Sequence, residues 1–120
     1  MIDVLIEART VSEANSRAHW GVRARRSKKL RSLARLLCAG PVCACRDRLG
    51  GTFTVRLIRV APRSLDTDNL AAALKAIRDG VTDALAPCGV LTDADPRVTW
   101  EYAQERGEPK QYAVRVEVRP

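Results

Sequence analysis

Aromatic residues are scarce in this chain of 120 residues, at 4% of the total, whereas 46% of the residues are hydrophobic. A core with so few rings has to be built from Leu, Val, Ile and Ala, and the length suits one domain over residues 1–120. The sequence has no apolar run of bilayer length and does not begin with the basic and apolar regions of a signal peptide. We therefore expect a cytoplasmic protein without a membrane partner.

Histidine is almost absent as well, because His19 is the only one. The four cysteines, Cys38, Cys43, Cys45 and Cys88, have the spacing C-x4-C-x-C followed by a long gap. Structural zinc sites favour C-x2-C pairs and often add histidines. The pattern therefore favours reduced thiols that pack as small hydrophobic side chains.

Acidic residues are missing from Ala14 to Arg46, a stretch that holds nine lysines and arginines. The net charge of the whole chain is only +7, so the remainder is net negative. Nine charges of one sign repel one another, which favours a polyanionic partner such as DNA over an ordinary solvated helix face. The predicted phosphate contacts are Arg17, Arg23, Arg25, Arg26, Lys28, Lys29 and Arg31, with Arg63 as a further candidate.

Alternating apolar residues predict strands at residues 2–8, 52–60, 97–104 and 111–118. Helical spacing predicts a first helix from about Val22 that ends at Gly40 and Pro41, after a turn anchored by Trp20. A second helix is predicted over residues 69–85. Its apolar stripe consists of Leu70, Leu74, Ile77, Val81 and Leu85.

The predicted elements follow the order β-α-β-α-β-β. The last two strands have no crossover helix between them, which argues against a doubly wound sheet. We therefore predict an α+β fold, in which a small mixed sheet packs with two helices.

Two pairs of carboxylates flank the second helix: Asp66 and Asp68 before it, Asp93 and Asp95 after it. If the strands on either side of the helix are neighbours, the two loops can meet at one edge of the sheet. Clustered carboxylates repel unless they are neutralised, and a hard divalent cation such as Mg²⁺ is the usual partner. The ordinary alternative is that Asp68 is the N-cap and that Asp93 and Asp95 are turn residues.

Lys75 follows Asp68 by two helical turns, off the apolar stripe, and its side chain can lean back towards the acidic loop. Asp79 lies at i+4 and can hold the ammonium group. An ordinary exposed ion pair between Lys75 and Asp79 explains the spacing equally well.

The stretch LDTDNL…K…RD…DAL…GVLTDADPRVTWEYAQERG resembles the RusA-like Holliday junction resolvases of bacteria and their phages, most specifically over residues 62–107. The segment NSRAHWGVRARR also looks like the phage branch. That family shows D-x-D-N-L at a helix start, a lysine on the helix and a D-D pair in the following loop. The matching residues here are Asp66, Asp68, Asn69 and Leu70 for the first motif, and Thr92 and Asp93 for the loop pair.

The resemblance implies a RusA-like fold and a homodimeric endodeoxyribonuclease that resolves four-way DNA junctions by paired nicks in recombination and repair, in a bacterial or phage-infected cell. It implies Mg²⁺, with Mn²⁺ as a substitute, held by Asp66, Asp68 and Asp93. Lys75 is implied as the catalytic lysine, although it lies further along its helix than in the family. Thr92 replaces the first loop aspartate, so Asp95 is a further candidate ligand.

Three other functions remain open. One is a basic module that binds DNA without cutting it, whose carboxylates are caps and turn residues. Another is a nuclease that acts on other branched DNA, such as forks or flaps, because shape selectivity depends on the geometry of the dimer. The third is an antirepressor or assembly protein whose acidic loops bind a protein partner.

Overall fold

The computed structural model describes residues 1–11 and 19–120, and its elements follow the expected order β-α-β-α-β-β. The strands are β1 (Ile2–Ile6), β2 (Phe53–Ala61), β3 (Val98–Arg106) and β4 (Ala113–Arg119). The helices are α1 (Trp20–Ala44) and α2 (Thr67–Ala84), each followed by a short 3₁₀ turn. The predicted α+β class, with a mixed sheet and two helices, is confirmed.

The four strands form one sheet in the order β1-β4-β2-β3. Strand β4 is antiparallel to β1 and β2, whereas β2 and β3 are parallel and α2 connects them. Phe53 pairs with Val98 and Ala61 with Arg106, so the loop after β2 and the loop before β3 lie at opposite ends of the pair.

The core lies between one face of the sheet and the two helices. Leu74, Ile77 and Leu85 of the predicted stripe are completely buried, and Leu70 and Val81 nearly so. They pack in one cluster with residues of every strand and of α1. The apolar stripe of α2 therefore faces the sheet as predicted.

Helix α1 continues past Gly40 and Pro41 to Ala44, so its predicted end is wrong. Ala34, Cys38 and Val42 recur every four residues and are buried, which gives the last turns a core-facing side. Pro41 has no N–H group, but its carbonyl accepts from the Cys45 amide at 3.2 Å. Burial of this side therefore outweighs the local stop signals.

The start of α1 also differs from the prediction. Trp20 does not anchor a turn in the core, because it is 69% exposed and its ring lies beside that of His19. His19 is the N-cap, and its Nδ1 accepts from the Gly21 amide at 3.1 Å. Polar capping by His19, not burial of Trp20, marks this end of the helix.

Helices α1 and α2 pack tightly against each other at Gly80. A Cβ atom at that position would lie 2.3 Å from the Arg31 carbonyl oxygen and 2.7 Å from the Ala34 Cβ. One turn further along, Arg31 donates two hydrogen bonds to Asp83, at 2.7 and 2.9 Å. These contacts set the spacing of the two helices.

The other face of the sheet carries alternating charges. In the strands it presents Asp3, Glu101, Glu105 and Glu117 against Arg56, Arg115 and Arg119. Arg115 pairs with Glu105, and Arg119 pairs with Asp3.

Within the described ranges, the helices are too short or too polar to cross a bilayer.

Candidate nucleic-acid interface and acidic site

Asp66, not Asp68, is the N-cap of α2. Its Oδ1 accepts from the Asn69 amide at 2.8 Å, and its Oδ2 accepts from the Asn69 side-chain Nδ2 at 3.1 Å. The helix begins at Thr67, two residues before the predicted start, because this cap satisfies one of the free amides of the first turn. Asp68 lies within that turn, and its side chain is exposed.

The loop that carries Asp66 is fastened to the sheet through its backbone. Gln104 of β3 donates from Nε2 to the Leu65 carbonyl at 2.7 Å, and its Oε1 accepts from the Leu65 amide at 2.9 Å. Arg59 of β2 donates from Nη1 to the Arg63 carbonyl at 2.8 Å. These bonds fix the chain just before Asp66. Arg63, which is a predicted phosphate contact, is exposed to solvent.

Asp93 lies against the middle of α2. Its Oδ2 is 2.9 Å from Arg78 Nε and 3.9 Å from Lys75 Nζ. Its backbone carbonyl accepts from Trp100 Nε1 at 2.9 Å and from Arg78 Nη2 at 3.3 Å. The structure therefore brings together Asp93 and Lys75, two of the predicted site residues.

Arg78 is the functional candidate that the sequence analysis missed. Its guanidinium lies 4.7 Å from the centre of the Trp100 ring and donates from Nη1 to the Tyr102 hydroxyl at 2.6 Å. Trp100 and Tyr102 alternate on β3, so their shared face was predictable. Their contact with Arg78 depends on the pairing of β2 with β3, which local patterns do not specify.

Lys75 Nζ also lies 2.7 Å from Asp79 Oδ1, as the i+4 spacing predicted. The Lys75 side chain is 62% exposed, so it sits at the mouth of the site between two carboxylates. Lys75 follows Asp68 by seven helical positions, which corresponds to about 10 Å along the axis. Asp68 therefore lies nearer the start of α2 than the Lys75–Asp93 contact.

The two acidic loops do not meet at one edge of the sheet, and that expectation is wrong. Parallel strands β2 and β3 place the two loops at opposite ends, and α2 spans the distance between them. Within residues 1–11 and 19–120, no three His, Cys, Asp or Glu side chains lie close enough to hold one metal ion. The set Asp66, Asp68 and Asp93 supplies only oxygen atoms, which suit Mg²⁺, and it stays a prediction.

Asp95 has a local role. Its Oδ1 accepts from the Arg97 amide at 2.9 Å, and its Oδ2 lies 3.2 Å from Arg97 Nη2. The side-chain hydrogen bond from Arg97, together with the backbone bond, holds the pKa of the Asp95 carboxyl below its usual value. Asp95 therefore acts as a turn residue, which was the ordinary alternative to a metal ligand, and its partner in the turn is Arg97.

The predicted phosphate contacts between Arg17 and Arg31 fall into four groups. Arg17 lies outside the described residues. Arg25, Lys28 and Lys29 are exposed on α1, and Arg23 and Arg26 are half-buried there. Arg31 is exposed too, but Asp83 holds it, and the hydrogen bond between them raises the pKa of Arg31 and lowers that of Asp83.

A groove of about 840 Å³ runs between α1 and α2 and reaches the Asp93 loop. Its polar walls carry Lys28 and Arg31 from α1, Lys75, Arg78 and Asp79 from α2, Asp93 from the loop and Tyr102 from β3. Four cations and two carboxylates thus face one open space. Such a groove suits a phosphate group that approaches beside an acidic site.

The chain was compared with protein-family models, with curated proteins and with solved structures, and none of the three comparisons found a match. The resemblance to the RusA-like resolvases therefore stays a prediction that depends on the motif residues themselves.

Proposed function

We propose that this chain is a magnesium-dependent endodeoxyribonuclease that acts as a homodimer on branched DNA, with the four-way junction of the RusA-like resolvases as its substrate. One observation carries the proposal: Lys75 lies between Asp79 and Asp93 in a groove that Lys28, Arg31 and Arg78 also line. A phosphodiester is anionic, and its hydrolysis needs both carboxylates and cations at one place.

Asp66, Asp68 and Asp93 are the carboxylates that the proposal assigns to magnesium, and one ion held by all three would require the Asp93 loop to move towards the start of α2, because the structure places them apart. Carboxylate oxygens are the donors that Mg²⁺ prefers, and all three side chains are at least partly exposed. The ion supplies, when bound, a water of lowered pKa and positive charge at the phosphate. The cap bonds of Asp66 come from Asn69, so folding of α2 fixes this carboxylate.

Lys75 is suited to act on the phosphate. Its contact with Asp93 is long, at 3.9 Å, whereas Asp79 holds it at 2.7 Å. The ammonium group can therefore turn towards a phosphate oxygen while it stays in contact with Asp79. Charge that develops on the phosphate or on the leaving oxygen would be stabilised there.

Arg78 positions Asp93. The guanidinium is fixed by Trp100 and Tyr102, and it contacts both the carboxylate and the backbone carbonyl of Asp93. The Arg78 side chain is only 23% exposed, so its main contacts are within the protein. Its charge nevertheless adds to the positive potential of the groove.

A second candidate, a DNA-binding module without catalysis, is favoured by a specific observation. Asp66 already has a complete structural role as the N-cap, and Asp95 has one in its bonds to Arg97. If the remaining acidic residues are also structural, the basic surface of α1 would bind DNA without cutting it. This module would need no divalent metal.

Cleavage of a synthetic four-way junction tests the proposal. The protein is incubated with the junction and with a linear duplex of the same length, in Mg²⁺ and in EDTA. We expect paired nicks in the junction in Mg²⁺ only, with the duplex left intact. Binding without any cutting in Mg²⁺ or Mn²⁺ would support the module, and cutting of forks or flaps in preference to the junction would identify a different branched substrate.

A further inference from the structure

Arg59 is a buried cation in the middle of the sheet. It lies on β2, one of the central strands, and the residue is only 7% exposed. Its Nε donates to Thr10 Oγ1 at 3.2 Å and its Nη1 donates to the Arg63 carbonyl at 2.8 Å. Both acceptors are neutral, and neither hydrogen bond uses Nη2.

The positive charge of Arg59 is not compensated within the described chain. None of the described carboxylates forms an ion pair with it, although the other arginines of the sheet include Arg115 and Arg119, which pair with acids. Burial lowers the pKa of the guanidinium; Tyr112 counteracts this effect, and nearby Arg9 adds to it. A buried charge without a counterion is unfavourable, so an anion from outside the chain would satisfy a need that the fold leaves open.

Two further arginines belong to the segments that Arg59 contacts. Arg9 is next to Thr10 in sequence, and its guanidinium lies 4.7 Å from the centre of the Tyr112 ring. Arg63, whose carbonyl Arg59 holds, is exposed. The same loop continues to Asp66 and Asp68, so an anion here would lie beside the acidic loop.

We infer that Arg59, Arg9 and Arg63 form a binding site for a phosphate group of the DNA backbone next to the acidic loop. The inference deepens the proposed function and depends on it for the source of the phosphate. Arg59 supplies Nη2 and a fixed position, and Arg9 and Arg63 add positive charge from the two segments that Arg59 contacts. A bound phosphate would also hold the Arg63 segment, and with it Asp66, at a set distance from the DNA.

Arginine side-chain NMR tests this inference on the wild-type protein. The Nε–H signals are recorded during titration with inorganic phosphate and, separately, with an uncleaved four-way junction in EDTA. The Arg59 signal is assigned by its loss in Arg59→Lys. We expect a saturable shift of this signal with both ligands.

The two titrations separate the outcomes. No shift of Arg59 with either ligand would overturn the inference, even if the protein cuts junctions. A shift with phosphate but not with the junction would show a site for a small anion and would overturn the assignment to DNA. A shift with both ligands would support the site even if no cleavage is seen, so its failure can be told apart from failure of the proposed nuclease.

Variants give an independent readout. Arg59→Gln should weaken junction binding about tenfold near 0.1 M salt and lower the slope of log K against log[salt] by about one, the value for one lost phosphate contact. Arg56→Gln is the matched control, because Arg56 is on the same strand but exposed on the opposite face of the sheet. Equal effects of the two substitutions would contradict a specific site at Arg59.

Discussion

The carboxylates around α2 differ in what their oxygen atoms already contact. Asp66 accepts two hydrogen bonds from Asn69, and Asp95 is occupied by Arg97. Asp93 faces two cations, Lys75 and Arg78, across the groove. Asp93 is therefore the better candidate for a role beside a phosphate that binds these cations, whereas Asp95 is the better candidate for a structural role.

The role of Asp95 is tested by Asp95→Asn. Asparagine keeps an oxygen that can accept from the Arg97 amide but loses the charge that pairs with the guanidinium. We therefore expect cleavage within about threefold of wild type and an unchanged Mg²⁺ requirement, measured as a magnesium titration of junction cutting. Complete loss of cutting at saturating Mg²⁺ would show that Asp95 is a ligand and that the set Asp66, Asp68 and Asp93 is wrong. Thr92→Asp, which restores the pattern of the family, should be tolerated or should lower the Mg²⁺ concentration needed.

At the scale of the elements, the pairing of α1 with α2 determines the shape of the groove. Gly80 and the Arg31–Asp83 pair fix the distance between the helices. Lys28 and Arg31 stand on one wall of the groove, and Lys75 and Asp79 stand on the other. A change in helix spacing should therefore alter DNA binding as well as stability.

Gly80→Ala should destabilise the protein. The added Cβ would overlap the Arg31 carbonyl and the Ala34 Cβ, and the backbone of α1 would have to shift. Overpacking of this kind costs about 1–3 kcal/mol, measurable by urea unfolding. Gly40→Ala is the control, because no atom lies within 4 Å of a Cβ there, and it should be neutral or stabilise by about 0.5–1 kcal/mol. Equal stability of the two variants would contradict the close helix packing.

The Arg31–Asp83 pair should make a pH-dependent contribution to stability. Arg31 lowers the pKa of Asp83, so the stabilisation is fully present above the ordinary carboxyl pKa of about 4 and is lost as the pH falls through the lowered value. Both side chains are partly exposed, at 53% and 30%, so the effect is at most about 1 kcal/mol. Asp83→Asn should reduce the free energy of unfolding at pH 7, and this loss should shrink as the pH falls below about 4. A loss of equal size at every pH would mean that packing, not charge, explains the effect.

Local patterns predicted most of the elements and fewer of the contacts. The stripe of α2 and the alternation in β1 were readable because each repeats over several residues against one core. The end of α1 was not readable, because Gly40 and Pro41 are real stop signals that the burial of Cys38 and Val42 overrides. Competition between a local signal and a tertiary one is visible only in the folded chain.

In the candidate site, too, some contacts were predictable from local spacing and others depend on the tertiary structure. Lys75 and Asp79 are four residues apart, and their contact was predicted from helical spacing. Arg78 meets Asp93 and Tyr102, which are 15 and 24 residues away, so these contacts depend on how α2 lies across the parallel strands. The choice of Asp66 over Asp68 as the cap depends on where the loop is fastened, and Gln104 of β3 does that.

At the scale of the whole molecule, the helix side and the open face of the sheet differ in charge. The helix side carries the exposed cations Arg25, Lys28 and Lys29, and the open face of the sheet carries four acidic and three basic side chains in its strands. The surface of α1 should therefore attract DNA, and the open face of the sheet should not. DNA held by α1 would lie beside the groove.

Replacing Arg25, Lys28 and Lys29 with Ala should weaken binding to every DNA shape. Each lost phosphate contact lowers the slope of log K against log[salt] by about 0.9, so the triple variant should lose about two to three. The control replaces Arg56, Arg115 and Arg119 with Ala. These substitutions remove the same amount of positive charge, but from the open face of the sheet. If the two variants lose the same slope, the partner does not bind along α1.

The most direct test of the central claim compares Asp68→Asn with wild type in junction cleavage and junction binding. Asp68 is exposed in the first turn of α2 and is not its cap, so the substitution should leave the fold unchanged. Asp47→Asn, an exposed aspartate in the turn after α1, is the control. We predict that Asp68→Asn abolishes magnesium-dependent nicking while binding stays equal or becomes tighter, and that Asp47→Asn nicks normally. Normal nicking by Asp68→Asn would contradict the account, because the acidic loop at the start of α2 would then have no part in the chemistry.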